Sequence, residues 1–268
     1  RGLKLLFVIG ILLGNPFGII RAQWTTHFDD ICALGSWLDI QESEGWNIQA
    51  LETHDISVTI LVIFDDAFTV TWYADWRGPL IYQVTQGDFV LTGNITVTNR
   101  SGNDIPGSAY SLGGLMVRNR KTLTNGPIGW IPCQEDYVFL SLGQGANNHP
   151  SCSGCPAPHF EVKSTINSSS ELNLSAIDTN TPHIRLVRLY PFVLILYRFP
   201  NEEWVVHRRY FRDDLQDTLQ VGMVTYTDWY KASTYVNTFH NSHELNEELG
   251  PDPSNNPGLP FAPDIISR

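Results

Sequence analysis

Residues 71–77 read Thr-Trp-Tyr-Ala-Asp-Trp-Arg. Three aromatic rings, an acid and a base fall in this one short stretch. A sugar ring offers apolar C–H faces and outward hydroxyls. An exposed indole or phenol stacks on the first, and a carboxylate or guanidinium binds the second. Trp72, Tyr73, Asp75 and Trp76 are therefore candidate carbohydrate-binding residues. Arg118, at the end of an apolar segment, and Trp130, in the loop Gly126-Pro127-Ile128-Gly129-Trp130, join them. Each has a structural alternative. Aromatic side chains dominate β packing, and Arg118 can instead neutralise a nearby carboxylate. Trp204, inside an expected strand, is read as core.

Four adjacent acid pairs stand out: Asp65-Asp66, Glu135-Asp136, Glu202-Glu203 and Asp213-Asp214. Neighbouring strand residues point to opposite faces, so neither member of a pair assists the other across one sugar. They fall at expected turns and read as solvated turn acids. Two carboxylates from different segments, about 5–10 Å apart, would be needed for a divergent glycoside hydrolase. The Gly-x-Ser-x-Gly, His-Glu-x-x-His and P-loop patterns are all missing. His240-x-x-His243-Glu244 lacks an obvious third metal ligand.

Cys32, Cys133, Cys152 and Cys155 are the four cysteines. An even count in a secreted chain suggests disulfides, with three pairings open. Cys152-x-x-Cys155 sits in a Pro/Gly/Ser loop without the second close pair of a zinc site or the helix of a redox motif.

The elements that must position these residues are strands. Residues 87–99 alternate: Phe89, Leu91, Ile95 and Val97 on one face, and Thr92, Asn94, Thr96 and Thr98 on the other, with Gly93 a candidate bulge. Further β segments are expected at 57–64, 111–117, 137–142, 159–165 and 172–177. Four more follow at 183–189, 192–199, 203–210 and 219–225. Strands this regular, without long amphipathic helices, predict an all-β sandwich or barrel. Residues 23–240 read as one domain.

Residues 1–22 have a basic start, an apolar stretch broken by Gly10, and then Asn15-Pro16. That is the layout of a secretory signal peptide, so a secreted, extracellular protein without a membrane span in its mature form is expected. Residues 241–268 read as a Pro-rich tail cut short of a last strand. Charged residues are 17% of the 268 and the net charge is −11. That balance disfavours nucleic acid as a partner.

An ordered set of motifs carries a resemblance. It runs Gly78-Pro79-Leu80-Ile81-Tyr82, Gly87-Asp88-Phe89, Gly113-Gly114-Leu115-Met116-Val117-Arg118, and Arg185-Leu186-Val187-Arg188. Tyr197-Arg198-Phe199-Pro200-Asn201-Glu202-Glu203-Trp204 and Val221-Gly222-Met223 complete it. The chain resembles the concanavalin A-like lectin/glucanase superfamily. Within it, the chain is most similar to an uncharacterised secreted branch related to accessory domains of bacterial β-xylosidases. Asn201-Glu202 stands where the branch usually has Asp-Gly. The resemblance implies a two-sheet antiparallel β-sandwich, a jelly roll with one concave face. It implies a polysaccharide or glycan partner, and no cofactor beyond a structural Ca²⁺ for which Asp29 and Asp30 are candidate ligands. The glucanases of this superfamily carry Glu-x-Asp-x-Glu along one strand; this chain has no such run. The expectation is a non-catalytic, lectin-like domain. Its rivals are the divergent hydrolase and a structural or adhesion module attached to further domains of a cell-surface protein.

Overall fold

The computed structural model describes residues 9–13, 21–26, 35–44, 52–57, 60–65, 71–99, 102–121, 131–227, 229–234, 236–242 and 266–267. Seventeen strands and three short helices are named in chain order. They begin with β1 (Ile9–Leu13), β2 (Arg21–Thr26), β3 (Leu38–Asp39), α1 (Ile40–Ser43), β4 (Glu52–Ser57) and β5 (Ile60–Asp65). β6 (Leu80–Gln86), β7 (Phe89–Asn94), β8 (Val97–Thr98), β9 (Ser111–Asn119), β10 (Tyr137–Gln144), β11 (His159–Ile166) and β12 (Ser169–Ala176) follow. The chain continues through β13 (His183–Leu189), β14 (Phe192–Arg198), β15 (Val205–Phe211), β16 (Thr218–Tyr226), α2 (Trp229–Ala232), α3 (Asn237–Ser242) and β17 (Ile266–Ser267).

Two antiparallel sheets face each other. The larger has the order β12-β11-β10-β9-β16-β6-β3, and the smaller β15-β14-β13-β7. Neighbours that are far apart in sequence, such as β9 beside β16, mark crossovers between the sheets. Leu115, Val117, Val138, Leu140, Phe160, Val162 and Val221 point inward from the large sheet. They meet Phe89, Leu91, Ile184, Leu186, Val193 and Ile195 of the small one. Alternation along each strand produces this, since every second residue faces the partner sheet. The architecture is the two-sheet jelly roll expected of a concanavalin A-like protein.

Several boundaries differ from expectation. The segment 57–64 contains the seam between two strands, β4 and β5, which pair with each other. The 87–99 segment breaks after Asn94. Gly93 pairs regularly with Ile184, so no bulge lies there. The break comes next, where Ile95 N–H bonds Pro182 O and the chain passes into a further sheet, β4-β5-β17-β8. The irregularity of the small sheet lies instead on β15, opposite Ile195 and Leu196. Gly222 is required by close approach, because a Cβ there would meet Ile81 O at 1.9 Å. Ile9–Leu13 pairs with Arg21–Thr26, within and just beyond the stretch read as a leader. No described helix is long and apolar enough to cross a membrane.

Candidate functional site

The other face of the large sheet is not bare. On β11, Phe160 and Val162 point into the sandwich, so His159, Glu161, Lys163 and Thr165 point outward. Register aligns Lys163 with Phe139 of β10 and Phe139 with Met116 of β9. Met116 in turn pairs with Gly222 of β16, and Gly222 with Tyr82 of β6. Ile40 and Trp72 from outside the sheet close over this row in a second apolar cluster with Tyr137, Phe139 and Tyr226.

A cavity of about 300 Å³ remains open on this side. It is lined by Thr71, Tyr73, Tyr110, His149, Lys163, Ser170, Leu172, Tyr226 and Trp229. Four rings and several polar atoms share its wall. Tyr73 and Trp229 pack with centroids 4.7 Å apart, and Trp76 buttresses Trp229 edge-on at 5.5 Å. Lys163 is buried. Its Nζ lies 2.9 Å from Glu161 Oε1, donates to Trp72 O, and sits within 5.4 Å of the Tyr73, Phe139 and Tyr226 ring centroids. Burial lowers the ammonium's pKa despite the Glu161 carboxylate. Burial also raises the Tyr110 and Tyr226 phenols, keeping both protonated at neutral pH. Tyr226 shares a 2.6 Å hydroxyl bond with Ser141. The buried Thr71 hydroxyl on the cavity wall makes no hydrogen bond.

Of the residues singled out from the sequence, Tyr73 lines the cavity and Trp76 supports it from behind. Three others have structural roles. Trp72 is 0% exposed, its indole N–H bonded to Pro79 O and its ring edge against Tyr137. It is a core residue and has no face to offer a sugar. Asp75 is buried and accepts from Cys133 N–H, at 2.9 Å, and from the Ser168 hydroxyl. Its carboxylate organises the loop rather than meeting a ligand. Arg118 is also fully buried. Its Nε lies 2.7 Å from Glu135 Oε2 and its Nη2 2.9 Å from Glu135 Oε1, while Nη1 reaches Glu44 and Gln220. Arg77 joins through Glu44, giving two guanidiniums and two carboxylates. Burial alone would lower Arg118, yet Glu135 and Glu44 raise it well above the ordinary range. Burial outweighs the same acids at Arg77 and lowers it to about 10. Glu135 falls to about 2, because Arg118 and Arg77 overcome the cost of its burial. The Glu135-Asp136 pair is therefore buried, not solvated; Asp136 accepts from Asn167 N–H and Asn119.

Trp130, Asp29, Asp30 and Cys32 lie outside the described residues. Cys152 and Cys155 form a disulfide, and Cys133 is an exposed free thiol. Among the described residues, no cluster of three or more His, Cys, Asp or Glu has metal-ligand geometry. His240 is buried and its Nδ1 lies 3.0 Å from Asn241 Oδ1; His243 and Glu244 are not described. Trp204 is not core. It stands half-buried on the far side of the small sheet, with two arginines over its ring.

Lys163, Tyr110, Tyr226 and Trp229 were missed by sequence reasoning. The alternation of residues 159–165 holds a usable cue, since it places Glu161 and Lys163 outward on one face. Nothing local marks Tyr110 or Trp229, which reach the cavity from a loop and a one-turn helix.

No protein-family model matches the chain, and no curated protein does. Solved structures do. A functionally unknown protein from Saccharomyces cerevisiae superposes with a TM-score of 0.50 at 12% identity, over 72% of this chain and 88% of that one. A lectin from Bauhinia forficata in complex with GalNAc covers 76% of this chain and 90% of its own, at 8% identity and TM-score 0.44. A glycoside hydrolase family 16 endo-glucanase from Bacteroides ovatus covers 90% and 97%, at 9% identity and TM-score 0.45. At these identities the likeness is one of architecture alone, and architecture assigns no activity.

Proposed function

We propose that this chain is a secreted, non-catalytic carbohydrate-binding protein whose site is the cavity on the outer face of the large sheet. One observation carries the reading: four aromatic rings line a cavity whose wall also includes Lys163, His149 and Ser170. Rings take the apolar face of a sugar, and polar atoms orient its hydroxyls. The volume of about 300 Å³ suits a small ligand or the terminus of a chain. The lining contains no Asp or Glu among the described residues, which favours binding over hydrolysis. The leader-like N-terminus and the Cys152–Cys155 disulfide favour an oxidising compartment.

A glycan array followed by calorimetry tests this. Tyr73→Ala and Trp229→Ala are expected to weaken the best ligand about tenfold, equivalent to about 1.4 kcal/mol. Absence of binding to every glycan at millimolar concentration overturns the reading. Release of reducing ends from a polysaccharide overturns its non-catalytic part.

A further inference from the structure

The far side of the small sheet carries a second constellation. Alternation turns His183, Arg185 and Val187 of β13 outward, with Leu194, Leu196 and Arg198 of β14. The Trp204 indole lies under two guanidiniums, with Arg185 Cζ 3.8 Å and Arg198 Cζ 5.0 Å from its centroid. Arg185 Nε donates to Thr92 Oγ1 at 2.8 Å, while Arg198 Nε is buried with no hydrogen-bond partner. No described carboxylate forms an ion pair with either arginine, although Glu202 and Glu203 precede Trp204 in the turn. Burial and Arg198 itself both lower the pKa of Arg185, which shows how little negative charge is at hand.

This arrangement is costly as it stands. Two like charges share one ring, and Arg198 Nε has no acceptor. A chain with 28 acids against 17 bases has no shortage of carboxylates to place there. Arg209 pairs with Leu194, on the same outward face, and extends the row of cations along the strands. Same-face positions repeat about every 7 Å along a strand. Such a row suits a ligand with repeated anions.

We infer that Arg185, Trp204 and Arg198 form a binding site for an oxyanion carried on an acidic polysaccharide, as a sulfate ester or a uronate carboxylate. A planar guanidinium carries N–H groups suited to bidentate recognition of such an oxyanion, and two of them lie over the Trp204 ring. A second copy of the chain is disfavoured, because a two-fold contact would set arginine against arginine. Nucleic acid is disfavoured because the one indole is covered by guanidiniums and offers no stacking platform.

Affinity electrophoresis tests this at 150 mM NaCl with dextran sulfate, polygalacturonate and unmodified dextran. The wild-type chain is expected to be retarded by a charged polymer and not by dextran. Arg185→Gln with Arg198→Gln is expected to weaken that binding at least tenfold, and Arg198→Lys less. Tyr73→Ala, in the cavity, is expected to leave it unchanged, so the two sites fail separately. If the double variant does not fold, titration of wild-type protein with sodium sulfate is read at the Trp204 indole N–H resonance, assigned with Trp204→Phe. A shift there is expected. Equal mobility in charged and neutral polymer overturns the inference, as does unchanged binding by the double variant or an unmoved indole resonance. Tighter capture by oligothymidine or by phosphatidylserine vesicles overturns it too, as does self-association lost in the double variant.

Discussion

Arg118 and Glu135 form a buried fork-to-fork ion pair, with N–O distances of 2.7 and 2.9 Å and neither side chain reaching solvent. They stand on facing sides of the β9–β10 pairing, Arg118 opposite Tyr137, two residues after Glu135. Glu44 and Arg77 complete a neutral cluster that ties the α1 segment and the 71–79 segment to the sheet. Breaking one half leaves a buried charge without its partner. Arg118→Met or Glu135→Gln is therefore expected to cost about 3–5 kcal/mol in urea unfolding. The double variant should fall short of the sum of the two, by up to about 3 kcal/mol.

Trp72 fills the space between the sheet and its cover and has no exposed surface. Trp72→Ala removes that filling and strands Pro79 O. About 3–5 kcal/mol of stability should be lost, seen as a melting temperature lower by roughly 10 °C. A Tyr73→Ala variant should melt much closer to wild type while binding glycan more weakly. Calorimetry of both variants separates the two roles.

Acid should unfold the protein in two stages. His240 is buried with Arg77 nearby, and its pKa falls from 6.5 to about 4, chiefly through burial. Below pH 6.5 the unfolded chain takes a proton that the folded chain refuses, so stability declines between pH 6.5 and 4. The loss from this residue is on the order of 3 kcal/mol. His207, also lowered to about 4 by burial, acts in the same window and direction. Glu135 has its pKa depressed to about 2, so its stabilising contribution is lost as pH falls from 4.5 to 2. Urea midpoints measured from pH 8 to pH 2 should show both declines. His240→Gln should reduce the upper decline to the share that His207 contributes, and spare the lower.

Thiol chemistry should distinguish the cysteines. Cys133 is exposed and free, whereas Cys152 and Cys155 are bonded to each other. Iodoacetamide should label Cys133 in the native protein, and Cys152 and Cys155 only after reduction, as read by peptide mass spectrometry. The bridged loop is short, so reduction should cost no more than about 2 kcal/mol.

Most strands were legible in the sequence. β13 and β14, on either side of Tyr190-Pro191, begin as expected, and β13 matches at both ends. Alternation also placed the inward residues of β7. The segment 57–64 was harder. Its apolar run hides the boundary between β4 and β5, because a run without alternation does not mark where a strand stops. The candidate site was legible only in part. Residues 71–77 do sit beside the cavity, yet within them Trp72 faces the sheet and Tyr73 faces the opening.

The sequence by itself determined an all-β chain, its approximate strands, and the segment around which the cavity forms. These follow from local periodicity, which each residue and its near neighbours express. Only the tertiary structure decided which aromatic rings are exposed and which acids are solvated. Trp72 and Trp204 exchange their expected places, and Glu135 is buried against Arg118, because exposure depends on what the chain brings from afar. Glu44 lies 74 residues from Arg118, and Trp229 lies farther still from Tyr73. No spacing within a strand encodes such meetings.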